Sequence, residues 1–274
     1  MARSRRSPLT LALALLGLLV AACAAGGGSS TPARPPARQL TVLAAASLRE
    51  AFFALGTAYE RAVPGTVLTF SFDASSTLRA QIEQGAPVDA FASADLANAQ
   101  AIVADGLAAG PLVPFAANGL VIVVPDTNPA RIMTALDLAR PGVTVVAAGD
   151  NVPISGYALE VLARLATQPG YPGDYAVRVA ANVISKEDNV RAVLAKVELG
   201  EADAALVYVT DAASSSRVDT IAIPAAAQVT ATYVAVSTSA SREPAAAAAF
   251  VEWLAGPDSA AILAGFGFLP PRAP

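Results

Sequence analysis

The chain has 274 residues, with 22 acidic against 18 basic side chains and a formal charge of −4. That length suits one large or two modest domains, and an acidic balance without a basic run argues against nucleic acid or anionic lipid as partner. The absence of histidine and the presence of one cysteine, Cys23, exclude a Ser-His-Asp or Cys-His catalytic pair, histidine-ligated zinc and a disulfide within the chain, so a non-enzyme is expected.

The N-terminus is a targeting segment. "MARSRRSP" carries three arginines, "LTLALALLGLLV" is an apolar run too short to span a bilayer, and "VAAC" brings small residues up to Cys23. Residues 1–22 are expected to be a signal peptide. "VAAC" resembles a lipobox, in which the cysteine is acylated and becomes the first mature residue; Cys23 sits where lipidation needs it. Residues 23–38, "CAAGGGSSTPARPPAR", read as a lipidated flexible tether. Removing residues 1–22 takes away three arginines and no acid, so the charge falls from −4 to −7. The expected location is exported, lipid-anchored at the outer face of the cell membrane or periplasmic, touching the membrane through that anchor alone.

From Gln39 the pattern alternates. "QLTVLAAAS" predicts a strand and Ser47 to Val63 a helix; "TVLTFSF" a strand and Ser76 to Gln84 a helix; "VDAFASA" a short buried strand and Asp95 to Ala104 a helix. "GLVIVVP" is a long apolar strand, "VTVVAAG" another, and "ISGYALEVLARLA" a helix. "AANVIS" leads into "KEDNVRAVLAKVELG", an amphipathic helix that stops at Gly200. "ADAALVYVT", "VDTIAIP" and "TATYVAVS" are strands, and "REPAAAAAFVEWLAG" and "PDSAAILAGFG" closing helices. Such alternation predicts an α/β fold with mainly parallel sheets, and its length suits two sheets better than one. No later stretch holds eighteen uninterrupted apolar residues, so no transmembrane helix is expected.

Open parallel sheets bind ligands at the carboxyl ends of their strands. Four strand-to-helix turns there carry small hydroxyls, loop residues or a phenol: Ser47, Ser75 with Ser76, "GDNVPISGY", and Tyr208 in "VYVTDA". Each has a plain structural reading. Ser47-Leu48-Arg49-Glu50 spells a capping box, Ser75 and Ser76 also suit a helix cap, and Tyr208 suits a core aromatic. Together they make a set of neutral donors at helix N-termini, which is a way to hold an anion without a countercharge.

"TVLAAASL", "SSTLRAQIEQGAPVDAFASAD", "NVPISGYALEVL", "EDNVRAVLAKVELGEADAALVYVTDA" and "GFGFLPP" occur in this order. In them the chain resembles the periplasmic molybdate-binding proteins of ABC transporters, from about Gln39 to Pro271. The resemblance implies a two-lobed periplasmic binding protein fold of type II, each lobe a mainly parallel sheet flanked by helices, with the ligand in the interlobe cleft. It implies donors to a tetrahedral oxyanion from Ser47, Ser75, Tyr208 and the backbone N–H groups of Ile154 and Val190. Ile154 stands where the family has alanine, which a backbone donor tolerates. Asp73 departs from the small neutral residues usual there, and a carboxylate beside an anion weakens binding unless it points away. The implied function is capture of molybdate, and tungstate of the same charge and shape, for delivery to a membrane permease, without a cofactor and as a monomer. The lobes are expected at 39–118 with 234–274, and at 119–233. A binding protein for sulfate or a small organic acid, or a sensor lipoprotein without transport, are the alternatives. An organic acid would call for an arginine clamp, and Arg49 and Arg79 lie one turn inside their helices.

Overall fold

The computed structural model describes residues 37–271. The expected signal peptide, Cys23 and nearly all of the tether lie outside the described residues. The first strand, β1 (Arg38–Ala45), opens one residue before the expected start at Gln39.

After β1 come α1 (Arg49–Ala62), β2 (Thr66–Asp73), α2 (Ser75–Glu83), β3 (Ala90–Ser93), α3 (Leu96–Ala104) and β4 (Val113–Pro125). The second run is β5 (Val145–Ala148), α4 (Pro153–Ala166), α5 (Tyr175–Ala181), β6 (Val183–Glu187), α6 (Val190–Glu198), β7 (Ala205–Tyr208), α7 (Val209–Ala213) and β8 (Val218–Ile221). β9 (Thr230–Ser237), α8 (Pro244–Leu254) and α9 (Pro257–Gly265) close the chain.

The main sheet runs β2-β1-β3-β9-β4-β7, with β8 also on β4, and β5 and β6 form a separate pair. β1 pairs in parallel with β2 and β3, and β5 with β6. Every antiparallel ladder contains β4 or β9. The remaining pairs, β1–β2, β1–β3 and β5–β6, are parallel, as strand–helix units dictate. β4 changes partner at Gly119–Leu120: Gly119 faces Thr230 of β9, whereas Leu120 faces Tyr208 of β7.

Alternation across the pleat divides the first lobe's core in two. Leu40, Val42 and Ala44 of β1, with Tyr233 and Ala235 of β9, face α1 and α8. Leu43, Phe91, Val234 and Val236 face Leu78 and Ile82 of α2 and Ile102 of α3. α1 lies so close to β2 that a Cβ on Gly56 would stand 2.7 Å from the Phe70 ring. Asp89 ties this lobe together: it accepts from Thr41 N–H at 2.7 Å and from Ser241 Oγ at 2.6 Å.

Helix ends follow the local chemistry. Asp95 caps α3 by accepting from Asn98 N–H at 2.9 Å. α6 ends in a Schellman arrangement, with Gly200 at φ +70°, Gly200 N–H on Val197 O and Glu201 N–H on Lys196 O. Its start differs from the expected onset near Lys186: Lys186 and Glu187 belong to β6, and Asn189 begins the helix by accepting from Arg191 N–H and Ala192 N–H, each at 3.1 Å. The capping box at Ser47 does not form. A 3₁₀ turn at Ala46–Leu48 precedes α1, the Ser47 hydroxyl caps nothing, and Glu50 pairs with Arg191 instead.

Candidate functional site

Three helices and two strand ends converge on one small cavity. Ser47 lies in the turn after β1, and Ser75 is the first residue of α2. Ile154 is the second residue of α4, behind Pro153, and Val190 is the first of α6. Tyr208 ends β7 just before α7. All five residues singled out in the sequence line this cavity, with Ala45, Ala46, Asp73, Ala74, Ala94, Val152, Pro153 and Asn189. Among the described residues no lysine or arginine lines it. The N-termini of α2, α4 and α6 bring first-turn N–H groups that a helix cannot satisfy internally, and the positive ends of three dipoles.

The hydroxyls are held by partners outside the cavity. Ser75 is fully buried; its Oγ accepts from Ala94 N–H at 3.0 Å and caps no helix. That bond takes one of its two lone pairs and leaves its proton free for the cavity. Ser47 Oγ lies 2.9 Å from the Tyr233 hydroxyl. The Tyr208 phenol is buried without a hydrogen-bond partner. Its ring meets Tyr157 and Tyr233 edge-on, at centroid distances of 6.4 and 5.8 Å, which fixes where the hydroxyl points. Burial pushes the Tyr208 pKa well above the usual phenol value, so it keeps its proton as a donor.

Asp73 is the one acid on the lining. Its Oδ1 accepts from Ala74 N–H at 2.7 Å and from Asn189 Nδ2 at 3.1 Å. Those donors compensate the carboxylate and join β2 to the N-terminus of α6 across the cleft. A second crossing lies beside it: Arg191 pairs with Glu50 of α1 and, through Nε at 3.0 Å, with Asp211 of α7. Asp211 is fully buried, and burial raises its carboxyl pKa to about 7 against the pull of Arg191. On the other side the Tyr157 hydroxyl donates to Ala94 O at 3.4 Å; burial, aided by Asp95, raises this phenol to about 12.

The model of the family described as bacterial extracellular solute-binding protein matches residues 40–269. This chain belongs to that family. It is 36% identical over 255 residues to the molybdate-binding protein ModA of Mycobacterium tuberculosis H37Rv, covering 92% of this chain and 93% of that protein. The solved periplasmic molybdate-binding protein of Azotobacter vinelandii superposes with a TM-score of 0.71 at 22% identity, over 85% of this chain and all of that one. The sulfate-binding protein SubI of M. tuberculosis superposes with a TM-score of 0.75 at 20% identity, over 85% and 87% of the two chains. At these identities the superpositions establish the two-lobed type II periplasmic binding fold.

Four polar residues around the site escaped the sequence reading. Tyr233 and Asn118 sit behind Ser47 on β9 and β4, while Asn189 and Arg191 span the cleft from α6. Tyr233 and Asn118 did leave a signal, as polar residues inside the apolar runs "TATYVAVS" and "FAANGLVIVV".

Proposed function

We propose that this solute-binding protein captures molybdate, and also tungstate, and delivers it to the permease of an ABC transporter. The observation that carries the reading is the meeting of Ser47, Ser75, Ile154, Val190 and Tyr208 around one small cavity without a lysine or arginine. Its donors are two serine hydroxyls, a phenol and backbone N–H groups at helix starts. A dianion losing its water there gains charge-assisted hydrogen bonds of roughly 1.5–3 kcal/mol each, so five to seven donors support sub-micromolar binding after association costs. The identity to ModA of M. tuberculosis favours molybdate among tetrahedral dianions.

In this reading the lobes are 39–118 with 234–274, and 119–233. Ser47 and Ser75 come from the first, Ile154, Val190 and Tyr208 from the second, so closure depends on a ligand that touches both. The protein is exported, anchored through acylated Cys23 on the 23–38 tether, monomeric, without cofactor and without catalysis.

A thermal-shift panel tests this. A ligand at a hundredfold excess over its Kd stabilises the folded state by roughly 2.7 kcal/mol. Molybdate and tungstate are expected to give large shifts and phosphate a small one. A sulfate shift equal to that of molybdate overturns the selectivity, and no shift with any oxyanion overturns the function.

A further inference from the structure

Three of the residues that line the cavity are followed at once or within a turn by a charged one: Ser47 by Glu50, Val190 by Arg191, and Tyr208 by Asp211. These three charges meet. The Arg191 guanidinium donates through Nη2 to Glu50 in the first turn of α1 and through Nη1 to Ser214 Oγ at the end of α7. Its Nε stands 3.0 Å from Oδ1 of the buried Asp211. Each nitrogen therefore faces a different partner, which a planar fork of five N–H donors can do and an ammonium cannot. Arg191 itself lies outside the cavity lining. Each partner is rigidly tied to a lining residue. The 3₁₀ turn that holds Ser47 runs directly into α1, Val190 and Arg191 are the first two residues of α6, and Tyr208 immediately precedes α7. One cation between two carboxylates adds no net positive charge beside the anion site, so what the cluster supplies is position.

We propose that Arg191 is a positioning residue for anion selectivity: without touching the ligand, it staples the starts of α1, α6 and α7 together and fixes the spacing of the donors on Ser47, Val190 and Tyr208. This rests on the reading of the cavity as an oxyanion site. Molybdate and sulfate share charge and tetrahedral shape and differ in size. Donors held at a fixed separation tell them apart, and donors free to adjust do not. A plainer role for Arg191 is to compensate the buried carboxylate of Asp211. That role has no use for Glu50, whose side chain is 45% exposed, so Glu50 separates the two.

The test is calorimetric titration with molybdate and with sulfate, alongside Tm without ligand, on the full mature protein and two variants. Glu50→Ala cuts only the link to α1. A half-exposed ion pair adds little to the fold, so Tm is expected to stay the same, while the molybdate Kd weakens by about two- to fivefold and the molybdate-to-sulfate affinity ratio narrows. Arg191→Lys keeps a cation beside Asp211 but cannot hold three partners, so it is expected to narrow the ratio at least as much. Wild-type affinity and ratio in Glu50→Ala overturn the proposal and leave Arg191 as the counter-ion of Asp211. Equal weakening of both anions overturns the spacing argument, and a wild-type ratio in Arg191→Lys shows that charge alone is needed, which overturns the staple. If the wild-type protein takes up no oxyanion, the functional reading fails and the proposal falls with it.

Discussion

Replacing Tyr208 by phenylalanine removes one oxygen, and the structure gives that oxygen opposite values with and without ligand. It is buried and unpartnered in the protein. A buried hydroxyl without a partner costs roughly 1–3 kcal/mol, so its deletion does not destabilise the unliganded fold. At about 2–4 °C per kcal/mol for a domain of this size, Tm without ligand should stay the same or rise by a few degrees. With an oxyanion bound, the same hydroxyl makes a charge-assisted bond of roughly 1.5–3 kcal/mol, so Kd should weaken by about ten- to a hundredfold. Calorimetry for Kd and differential scanning for Tm, on one preparation, read both effects. A variant with wild-type Kd, or one whose unliganded Tm drops by several degrees, refutes the reasoning and returns Tyr208 to the core.

Ser75→Ala should behave differently, because Ser75 Oγ also serves the buried Ala94 N–H; a loss of about 1–3 kcal/mol in urea unfolding is expected together with weaker anion binding, and unchanged stability contradicts the hydrogen bond. Asp211 has its pKa raised to about 7 in the fold. Its contribution to stability is complete below the unfolded carboxylate value near 4 and is lost as pH rises towards 7, with a slope of up to about 1.4 kcal/mol per pH unit. Asp211→Asn should flatten the melting profile between pH 4.5 and 7.5, and superimposable profiles would show that the acid does not titrate there. Gly56→Ala sets a methyl 2.7 Å from the Phe70 ring; overpacking of this kind costs about 1–3 kcal/mol, to be read as a lower urea midpoint at unchanged m-value.

The elements that were legible were those whose pattern is local. "TATYVAVS" reads as a strand and is β9 to the residue, because apolar runs bounded by turns leave little choice. Elements fixed by tertiary contact were not. α5 spans only seven residues, contains Val177 and Val179, and has no side-chain cap; it is held by buried Tyr175, whose hydroxyl reaches Ala135 O from a distant segment. Lys186 and Glu187 look helical beside "DNVRAVLAKV", yet parallel pairing with Ala147 and Ala148 draws them into β6. At the site, Ser47, Ser75 and Tyr208 were legible because hydroxyls at turns between strand and helix carry recognisable chemistry, whereas Ile154 and Val190, which offer only backbone N–H groups, came from the family resemblance alone. What stands behind them was not: the Ser47–Tyr233 contact spans 186 positions and the Asp73–Asn189 contact 116. The capping box at Ser47 shows the same limit, since Arg191, far along the chain, takes the Glu50 that the box required.

Anomalous diffraction at the molybdenum edge, from crystals grown with molybdate, tests the central claim most directly. The account predicts one molybdenum peak inside the cavity, its oxygens within hydrogen-bond distance of the Ser47, Ser75 and Tyr208 hydroxyls and the Ile154 and Val190 N–H groups, with no cationic side chain touching them. A peak elsewhere on the protein, or one coordinated by an arginine or lysine, would contradict it.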